Sequence, residues 1–343
     1  MRKFYEQYHY YNRPISKVGP RYIPEYVTDF VKWNEQNLAE TTNVKDGRDY
    51  MTAQSILKTK QFRQIARRGI GGYCNSIGEW PDFYQPKSFA AMNVLHAITM
   101  PMPKVQPADK LHVGEFIPSS LSDQVSTAQV VQSWDSGNDV NFDGITPGVY
   151  YFKANHGSAY NIKVTIPCSD EEMTHIRSEA DRWLNTSYGE NSCQWWYRFI
   201  DRKVFLEKSL TSNPDDGPLQ DFRFHIINGR SALLQLDVGL GTEDRHNPVY
   251  DEKLNYMPHE FLRENLNEVP LPEMTEAAQA AAIKLGSPFQ YCRVDLYVQN
   301  KSIILGELTF LPNAGRRAVQ SAELDEYLCS FWDGKMPEVT RIT

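Results

Sequence analysis

Cysteine is scarce in this sequence, and its spacing offers no scaffold. The 343 residues include 5 cysteines, an odd number, which lie far apart and never form a Cys-x-x-Cys pair. This spacing predicts neither a disulfide framework nor a zinc site. We therefore expect reduced thiols in a cytoplasmic protein.

Long apolar runs and excess positive charge are also missing. No segment approaches the roughly 20 apolar residues of a membrane-spanning helix, and residues 1–14 are polar and aromatic, unlike a secretory signal. The formal net charge of -7 argues against an extended contact with a nucleic-acid backbone. We expect no transmembrane segment and no nucleic-acid partner, although a local basic pocket for one nucleotide stays open.

The chain does have enough apolar residues to bury a sizeable core. Its hydrophobic fraction of 41% and its length favour a globular protein of two or three subdomains. Residues 1–105 look mainly helical and irregular, with candidate helices at 24–39 and 52–67. A proline-rich passage at 100–108 then indicates a linker.

Past this linker, short strand patterns alternate with helical ones. Ser169 and Glu172 form a capping box that predicts a helix start, and Asn228-Gly229 predicts a hairpin turn. The predicted strands cover 149–154, 161–166, 204–206, 222–227 and 232–236, and an alanine-rich helix covers 272–285. This order predicts a mixed α+β architecture with subdomains at 106–210 and 211–343.

The stretch from Tyr291 to Gly315 is the most informative part of the chain. Residues 292–298 alternate between apolar and polar side chains, as a half-buried strand does. A polar turn follows at 299–301, and a second strand pattern covers 302–309. The segment therefore predicts a β-hairpin.

Two carboxylates of this hairpin, Asp295 and Glu307, share a face if the loop holds an odd number of residues, whereas a two-residue loop would put them on opposite faces. Side chains directly opposite one another lie roughly 4.5 to 5.5 Å apart at Cβ, where like charges are destabilising. Mg²⁺ would turn that repulsion into ligation, because it takes hard oxygen ligands and is usually held by one or two carboxylates together with substrate phosphates. Arg293 would then contact the same phosphates. The alternative is a solvated hairpin face whose charges never meet.

A lysine beside a small-residue turn forms a second candidate site. Lys153 leaves an apolar strand just before residues 155–158, and the backbone N–H groups of such a turn can approach phosphate oxygens while the lysine adds a cation. An ordinary hairpin turn has the same pattern, and His156 by itself is typical of a hydrogen-bonded turn residue. Glu207 and Lys208 end another predicted strand and offer backbone groups to an adenine edge, as nearly any strand end does.

Six segments, in chain order, read PKSF at 86–89, DK at 109–110, FKANHGSAYNIKV at 152–164, VFLEKSL at 204–210, DFRFHIINGR at 221–230, and RVDLY with GELTFLPNAG between 293 and 315. Together they resemble the TupA-like branch of the ATP-grasp superfamily over residues 86–317. Six segments in this order are more specific than any one of them. The resemblance implies an ATP-grasp fold, in which the nucleotide lies between two α+β subdomains.

The resemblance also implies roles for the matching residues. Asp295 and Glu307 would ligate one or two Mg²⁺ ions, for which Mn²⁺ would substitute, with Thr309 where related enzymes carry an asparagine ligand. Arg293 and Lys153 would be catalytic, Arg293 by stabilising charge on the transferred phosphoryl group. The residues implied in binding ATP are Lys110, Lys153, Asn155, His156, Gly157, Ser158, Glu207, Lys208, Leu210, Asp221 and Arg223.

Two positions depart from the family pattern. Gly114 stands where the family usually has a basic side chain, which makes Lys110 the candidate to replace it. Lys203 stands where an arginine is usual and keeps the charge but loses bidentate geometry. Two further segments allow two interpretations each: residues 195–197 suit a sugar-stacking platform or the core, and residues 243–246 suit an acceptor site or a solvated loop.

The activity implied by the resemblance is an ATP-dependent carboxylate–amine ligase that works through an acyl phosphate. Its setting would be the biosynthesis of a surface polysaccharide such as a capsule, where an amino acid or amine is joined to the carboxyl group of a uronic acid glycan. Two alternatives stay open: an ATP-dependent kinase of a glycan or small molecule, and a nucleotide-binding protein without turnover. The sequence also leaves homo-oligomerisation open.

Overall fold

The computed structural model describes residues 48–81, 88–211 and 219–332, with gaps at 240–242, 244, 262–263, 266 and 300, together with residues 28, 32 and 44–45. The predicted helix at 24–39 therefore lies outside the described residues except at two positions.

Both strands and helices are present within the described residues. The strands are β1 (Val44–Lys45), β2 (Arg48–Met51), β3 (Met102–Pro103), β4 (Val125–Thr127), β5 (Val130–Trp134), β6 (Gly148–Ala154), β7 (Asn161–Ile166), β8 (Val204–Lys208), β9 (Gln220–Ile227), β10 (Arg230–Asp237), β11 (Val249–Tyr250), β12 (Tyr256–Met257), β13 (Tyr291–Gln299) and β14 (Ser302–Thr309). The helices are α1 (Ala53–Ile56), α2 (Thr59–Ile77), α3 (Phe89–Thr99), α4 (Asp170–Leu184), α5 (Thr275–Gly286) and α6 (Ala322–Ser330). This mixture confirms the predicted α+β class.

These strands form three sheets within the described residues. The largest has seven strands in the order β12-β11-β10-β9-β13-β14-β4, the second has four in the order β5-β8-β6-β7, and a small one joins β1, β2 and β3. In the largest sheet, β14 and β4 run parallel and the other neighbours are antiparallel. The chain passes from β4 into β5 through residues 128–129, so the two larger sheets are joined directly.

The predicted linker is part of a packed element. Met102 and Pro103 pair with β2, and the backbone N–H of Lys104 donates to the carbonyl of Asp49 at 2.8 Å. Met100 and Met102 are buried. Apolar side chains between the prolines hold this passage against the core, which is why it differs from a free linker.

The four-stranded sheet is covered by α4, and the start of that helix is the one that the sequence predicted. The side chain of Ser169 accepts a hydrogen bond from the backbone N–H of Glu172, and the Glu172 carboxylate accepts from the backbone N–H of Ser169. The buried face of the helix presents Ile176, Ala180 and Trp183 to the core of this sheet. The capping box thus fixes where the helix begins, and the apolar spacing fixes which side packs.

The seven-stranded sheet buries one face against helices. On β9, Phe222, Phe224 and Ile226 are fully buried in the same core cluster as the alanines of α5. Gly286 permits this close approach, because a Cβ there would lie 2.7 Å from Cβ of Ile226. Successive side chains of a strand point to opposite faces, so the alternate residues of β9 lie on the other face, where the charged residues gather.

Candidate functional site

The two carboxylates of the predicted hairpin lie directly opposite each other. Asp295 pairs with Glu307 across β13 and β14. The loop has two residues, since Gln299 pairs with Ser302, so the expectation that a two-residue loop would put the carboxylates on opposite faces is wrong. The register shifts between Asp295 and Leu296, and this β-bulge supplies the extra residue that puts both carboxylates on one face.

Gly306 is the residue that the bulge leaves unpaired. Leu305 pairs with Leu296 and Glu307 with Asp295, so Gly306 lies between two paired positions. A Cβ at Gly306 would lie 2.8 Å from the ring of Tyr297 and 3.3 Å from the carbonyl oxygen of Asp295. Glycine at this position therefore allows the bulge to form without a clash.

Arg293 joins the polar side chains of this hairpin. Its Nε and Nη2 donate to the two carboxylate oxygens of Asp295 at 2.7 and 2.6 Å. Nη2 also reaches Glu307 Oε1 at 3.1 Å and Thr309 Oγ1 at 3.2 Å. The Thr309 hydroxyl in turn donates to Glu307 Oε1 at 2.9 Å. The charges of the hairpin therefore meet in one cluster.

Burial and neighbouring charges act differently on the two carboxylates. Burial raises the pKa of Asp295, and the negative charge of Glu307 adds to the rise, while Arg293 opposes it. Burial also opposes ionisation of Glu307, but Lys110 and Arg293 outweigh it and lower the pKa of Glu307 to about 2. Two neighbouring carboxylates whose pKa values shift in opposite directions are typical of functional sites.

Lys110 connects this hairpin to the small-residue turn. Its Nζ donates to the carbonyl oxygen of Gly157 at 2.5 Å and lies 3.4 Å from Glu307 Oε2. A Cβ at Gly114, the position at which the resemblance predicted a basic residue, would lie 3.2 Å from Thr127 Cγ2. Lys110 thus adds a second cation to the hairpin, beside Arg293.

The turn itself differs from the predicted flexible loop over phosphates. Asn155 is fully buried: its Nδ2 donates to Asp109 Oδ1 and to the carbonyl oxygen of Asp201, each at 2.9 Å, and its Oδ1 accepts from the backbone N–H of Lys203 at 2.9 Å. His156 is also buried and bonds to the carbonyl oxygen of Trp183 at 3.0 Å. Both side chains are thus hydrogen-bonded within the protein, and the role of this turn in binding ATP stays a prediction.

Gly157 and Ser158 complete this turn. A Cβ at Gly157 would lie 2.6 Å from the ring of Tyr160 and 3.2 Å from that of Tyr188. Ser158 is exposed, and burial raises the pKa of the neighbouring Tyr188. The glycine thus lets the backbone lie flat against two aromatic rings.

Three of the other predicted nucleotide residues, Lys153, Glu207 and Lys208, lie on strands of the four-stranded sheet, and Leu210 lies in the turn after β8. Lys153, in β6, forms an ion pair with Glu207, in β8, and both side chains are mostly buried. Lys208 is exposed and Leu210 is half-buried. Lys153 is therefore a paired strand residue rather than a solvated turn residue.

A second charged group flanks the hairpin on β9 and β10. Arg223, which lies opposite Asp295, donates through Nη2 to Asp221 Oδ2 at 2.7 Å and to Asp237 Oδ2 at 2.5 Å. Arg245 also donates to Asp237, from Nε at 2.7 Å. Asp237 was missed by sequence reasoning, because a lone acid at the end of an apolar strand carries no signal until its pairing with Asp221 is known.

The aromatic segment at 195–197 belongs mainly to the core. Trp195 and Trp196 are buried, with exposures of 2% and 1%. Trp195 Nε1 donates to the carbonyl oxygen of Ala97 at 2.9 Å. These rings are not available as a sugar-stacking platform.

The donor set of the hairpin fits Mg²⁺. Its two carboxylates and the Thr309 hydroxyl are hard oxygen donors, and Mg²⁺ is usually held by one or two carboxylates together with substrate phosphates. Within the described residues, no group of three or more His, Cys, Asp or Glu side chains is placed to hold a metal by itself. The arrangement thus suits a metal that shares its ligands with a phosphate.

No helix within the described residues has both the length and the apolar character needed to cross a bilayer.

One protein family matches most of the described chain. The model of the family described as TupA-like ATPgrasp matches residues 90–332. No curated protein matches the chain significantly.

Similar solved structures include D-alanine--D-alanine ligase from Bacillus anthracis complexed with ATP, with 14% identity and a TM-score of 0.36 over 65% of this chain and 56% of that one. The same enzyme from Helicobacter pylori has 13% identity and a TM-score of 0.36 over 65% of this chain and 60% of that one. ATP-grasp ligase PsnB, complexed with minimal precursor, Mg and ADP, has 13% identity and a TM-score of 0.33 over 70% of this chain and 66% of that one. The chain thus spans less than two thirds of the length of each of these three.

Proposed function

We propose, because the chain belongs to the TupA-like ATP-grasp family, that it is an ATP-dependent carboxylate–amine ligase. A carboxylate oxygen of the acid substrate would attack the terminal phosphorus of ATP, and ADP would leave. The nitrogen of an amine would then attack the acyl carbon of the resulting acyl phosphate. That step would form the amide, and inorganic phosphate would leave.

The charge cluster on the hairpin is the observation that carries this proposal. Asp295 and Glu307 face each other, Arg293 donates to both, and Lys110 lies 3.4 Å from Glu307. Phosphoryl transfer is catalysed mainly by positioning and by charge stabilisation. A site with two carboxylates for a metal and two cations for phosphoryl oxygens supplies both.

Arg293 would act on the phosphoryl group as it moves. Its guanidinium is buried, and its pKa is raised above the ordinary value because Asp295 and Glu307 outweigh the effect of burial. It therefore stays cationic throughout the working pH range, and its position is fixed by hydrogen bonds before substrate arrives. A preorganised cation of this kind needs little reorganisation during the reaction.

The remaining residues would hold the nucleotide. Lys153 and Glu207 lie side by side across β6 and β8, where the lysine would contact phosphate and the glutamate the adenosine. Lys110, between Gly157 and Glu307, would contact the phosphates at the junction of the two larger sheets. Mg²⁺ held by Asp295 and Glu307 would neutralise phosphate charge, with Mn²⁺ as a substitute.

We extend the proposal to a substrate class. The resemblance to the TupA-like branch supports an acceptor that is a uronic acid glycan and an amine partner that is an amino acid or a simple amine. The setting would be cytoplasmic synthesis of a surface polysaccharide. The charged side chains of the site are compatible with an acid acceptor. The choice of a uronic acid as that acceptor rests on the resemblance to the family.

A product analysis tests the reaction type. The protein is incubated with ATP, Mg²⁺, glucuronate-containing oligosaccharides and hydroxylamine as a surrogate amine. We expect ADP, phosphate and a hydroxamate, because a strong nucleophile intercepts an acyl phosphate. A stable phosphate ester that forms without amine would favour a kinase, and AMP with pyrophosphate would refute both reactions.

A further inference from the structure

The two flanks of the metal hairpin face different parts of the molecule. In the seven-stranded sheet, β14 and β4 lie on one side of β13, and β4 leads directly into the four-stranded sheet that carries Lys153 and Glu207. On the other side of β13 lie β9 and β10. A nucleotide held by the four-stranded sheet would approach the hairpin from the first side, which would leave the second side for the other substrate.

The second flank carries two arginines fixed by one carboxylate. The side chain of Asp237, at the end of β10, has an exposure of 0%. It accepts hydrogen bonds from Arg223 Nη2 at 2.5 Å and from Arg245 Nε at 2.7 Å, and Arg245 Nη2 donates to it as well. A buried carboxylate that binds two guanidinium groups fixes their separation and orientation.

The arginines of this flank remain partly accessible. The Arg245 side chain has an exposure of 27% and that of Arg223 has 18%. Arg245 contacts Asp237 through Nε and Nη2, and Nη1 is not part of this contact. A guanidinium has five donors in a planar fork that matches a carboxylate. One edge of Arg245 is thus held by Asp237, and Nη1 lies outside that contact.

The flank is continuous with the reacting centre. Arg223 lies opposite Asp295 across β9 and β13, and Asp237 lies opposite Asp221 across β10 and β9. A carboxylate bound beside Arg223 and Arg245 would therefore lie next to the hairpin, on the side away from the nucleotide sheet.

We propose that Arg245, together with Arg223, binds the carboxylate of the acid substrate on the β9–β10 flank. This inference rests on the proposed ligase function, and it assigns to Arg245 a role in choosing acids over neutral sugars. Arg223, for which the resemblance implied a contact with ATP, is held by both Asp221 and Asp237 and would instead join this subsite to the hairpin. Arg245 would belong to the subsite alone.

Calorimetric binding separates this inference from the ligase proposal. One titration uses ADP with Mg²⁺, and a second uses D-glucuronate, with D-glucose as the neutral analogue, in the presence of ADP and Mg²⁺. We expect the wild type to bind glucuronate in preference to glucose. Arg245→Gln should weaken glucuronate binding at least tenfold and leave ADP binding within twofold.

Two further variants keep the test informative. Arg245→Lys retains a cation beside Asp237 and should show an intermediate loss for glucuronate, since it loses the planar fork. Arg230→Gln removes an arginine from the other end of β10, where the exposed Arg230 pairs with the half-buried Glu252, and should match wild type in both titrations.

The outcomes are distinct. Equal affinity for glucuronate and glucose in the wild type, equal glucuronate binding by wild type and Arg245→Gln, or a loss that falls on ADP instead would overturn the subsite. Failure of ADP with Mg²⁺ to bind the wild type would overturn the nucleotide site of the proposed ligase, and the glucuronate titration, repeated without nucleotide, would still test Arg245.

Discussion

Arg293 is hydrogen-bonded to three neighbouring side chains, so each carboxylate of the hairpin also supports this guanidinium. Removing one carboxylate changes two things at once: the set of metal ligands and the partners of a buried cation. A buried ion pair that loses one partner leaves an uncompensated charge. Effects on activity and on stability are therefore coupled at this site.

Asp295→Asn should lose both turnover and stability. Loss of a metal ligand removes several kcal/mol of transition-state stabilisation, which corresponds to about a thousandfold in kcat. Arg293 keeps Glu307 as a partner, so we expect a fall of about 1–3 kcal/mol in the free energy of unfolding, measured by urea denaturation. The matched control is Asp123→Asn at an exposed position. Turnover of Asp295→Asn within tenfold of wild type would contradict the ligand role.

Asn155 is expected to act through stability. Its amide uses both Nδ2 donors and its Oδ1 acceptor on Asp109, Asp201 and Lys203. Asn155→Ala removes three hydrogen bonds and leaves the buried Asp109 without this partner, so the free energy of unfolding should fall by about 1–3 kcal/mol. Asn161→Ala, at an exposed strand position, is the control. If the two variants unfold at the same urea concentration, the amide has no structural role.

Sequence reasoning at this scale identified residue types better than side-chain directions. It grouped Arg293, Asp295 and Glu307, which the structure brings into contact. It predicted that Asn155 binds ATP, and the structure shows that the side-chain amide of Asn155 donates to Asp109, a residue distant in sequence. The difference arises because a hydrogen bond between segments depends on packing, and no local pattern reports it.

The bulge in the hairpin determines the site at the scale of an element. Local signals predicted much of the secondary structure, as at the capping box of α4 and the Asn228-Gly229 turn, where both residues have positive φ. They did not predict how a two-residue loop leaves two carboxylates on one face. A glycine inside a strand pattern often marks a bulge, so Gly306 was the available signal.

Gly306→Ala should therefore disturb the hairpin more than an ordinary substitution in a strand. The added Cβ would lie 2.8 Å from the ring of Tyr297, and overpacking of this kind costs about 1–3 kcal/mol. We expect a lower melting temperature and reduced kcat/KM, because Glu307 would move relative to Asp295.

Gly148→Ala is the matched control, since its nearest neighbour, the ring of Tyr150, would lie at 3.5 Å. Gly306→Ala should cost less stability in a Tyr297→Ala background than in the wild type, and the double-mutant cycle measures this coupling. If the two glycine variants have equal melting temperatures, the close contact does not govern the hairpin.

At the scale of the whole molecule, the site lies where two sheets meet. Lys110 contacts Gly157 of the turn after β6 and Glu307 of β14, so one side chain connects the four-stranded sheet to the seven-stranded one. The sequence predicted an α+β chain in which a nucleotide lies between two subdomains. It could not predict this contact, because most strands of both sheets lie between Lys110 and Glu307 in the sequence.

A ligand that bridges the two sheets should stabilise the folded chain. Binding to the native state alone adds RT ln(1 + [L]/Kd), about 2.7 kcal/mol at a concentration 100 times Kd. We expect ADP with Mg²⁺ to raise the melting temperature, and EDTA to remove most of that rise because the carboxylates of the hairpin then repel the phosphates.

Lys110→Met should lower the affinity for ADP with Mg²⁺ at least tenfold, since it removes the cation at the junction of the two sheets. Lys163→Met, at an exposed position of β7, should match wild type. A rise that is the same with EDTA and without it, or the same in Lys110→Met and wild type at subsaturating ADP, would show that the nucleotide does not bridge the sheets through this residue and the hairpin.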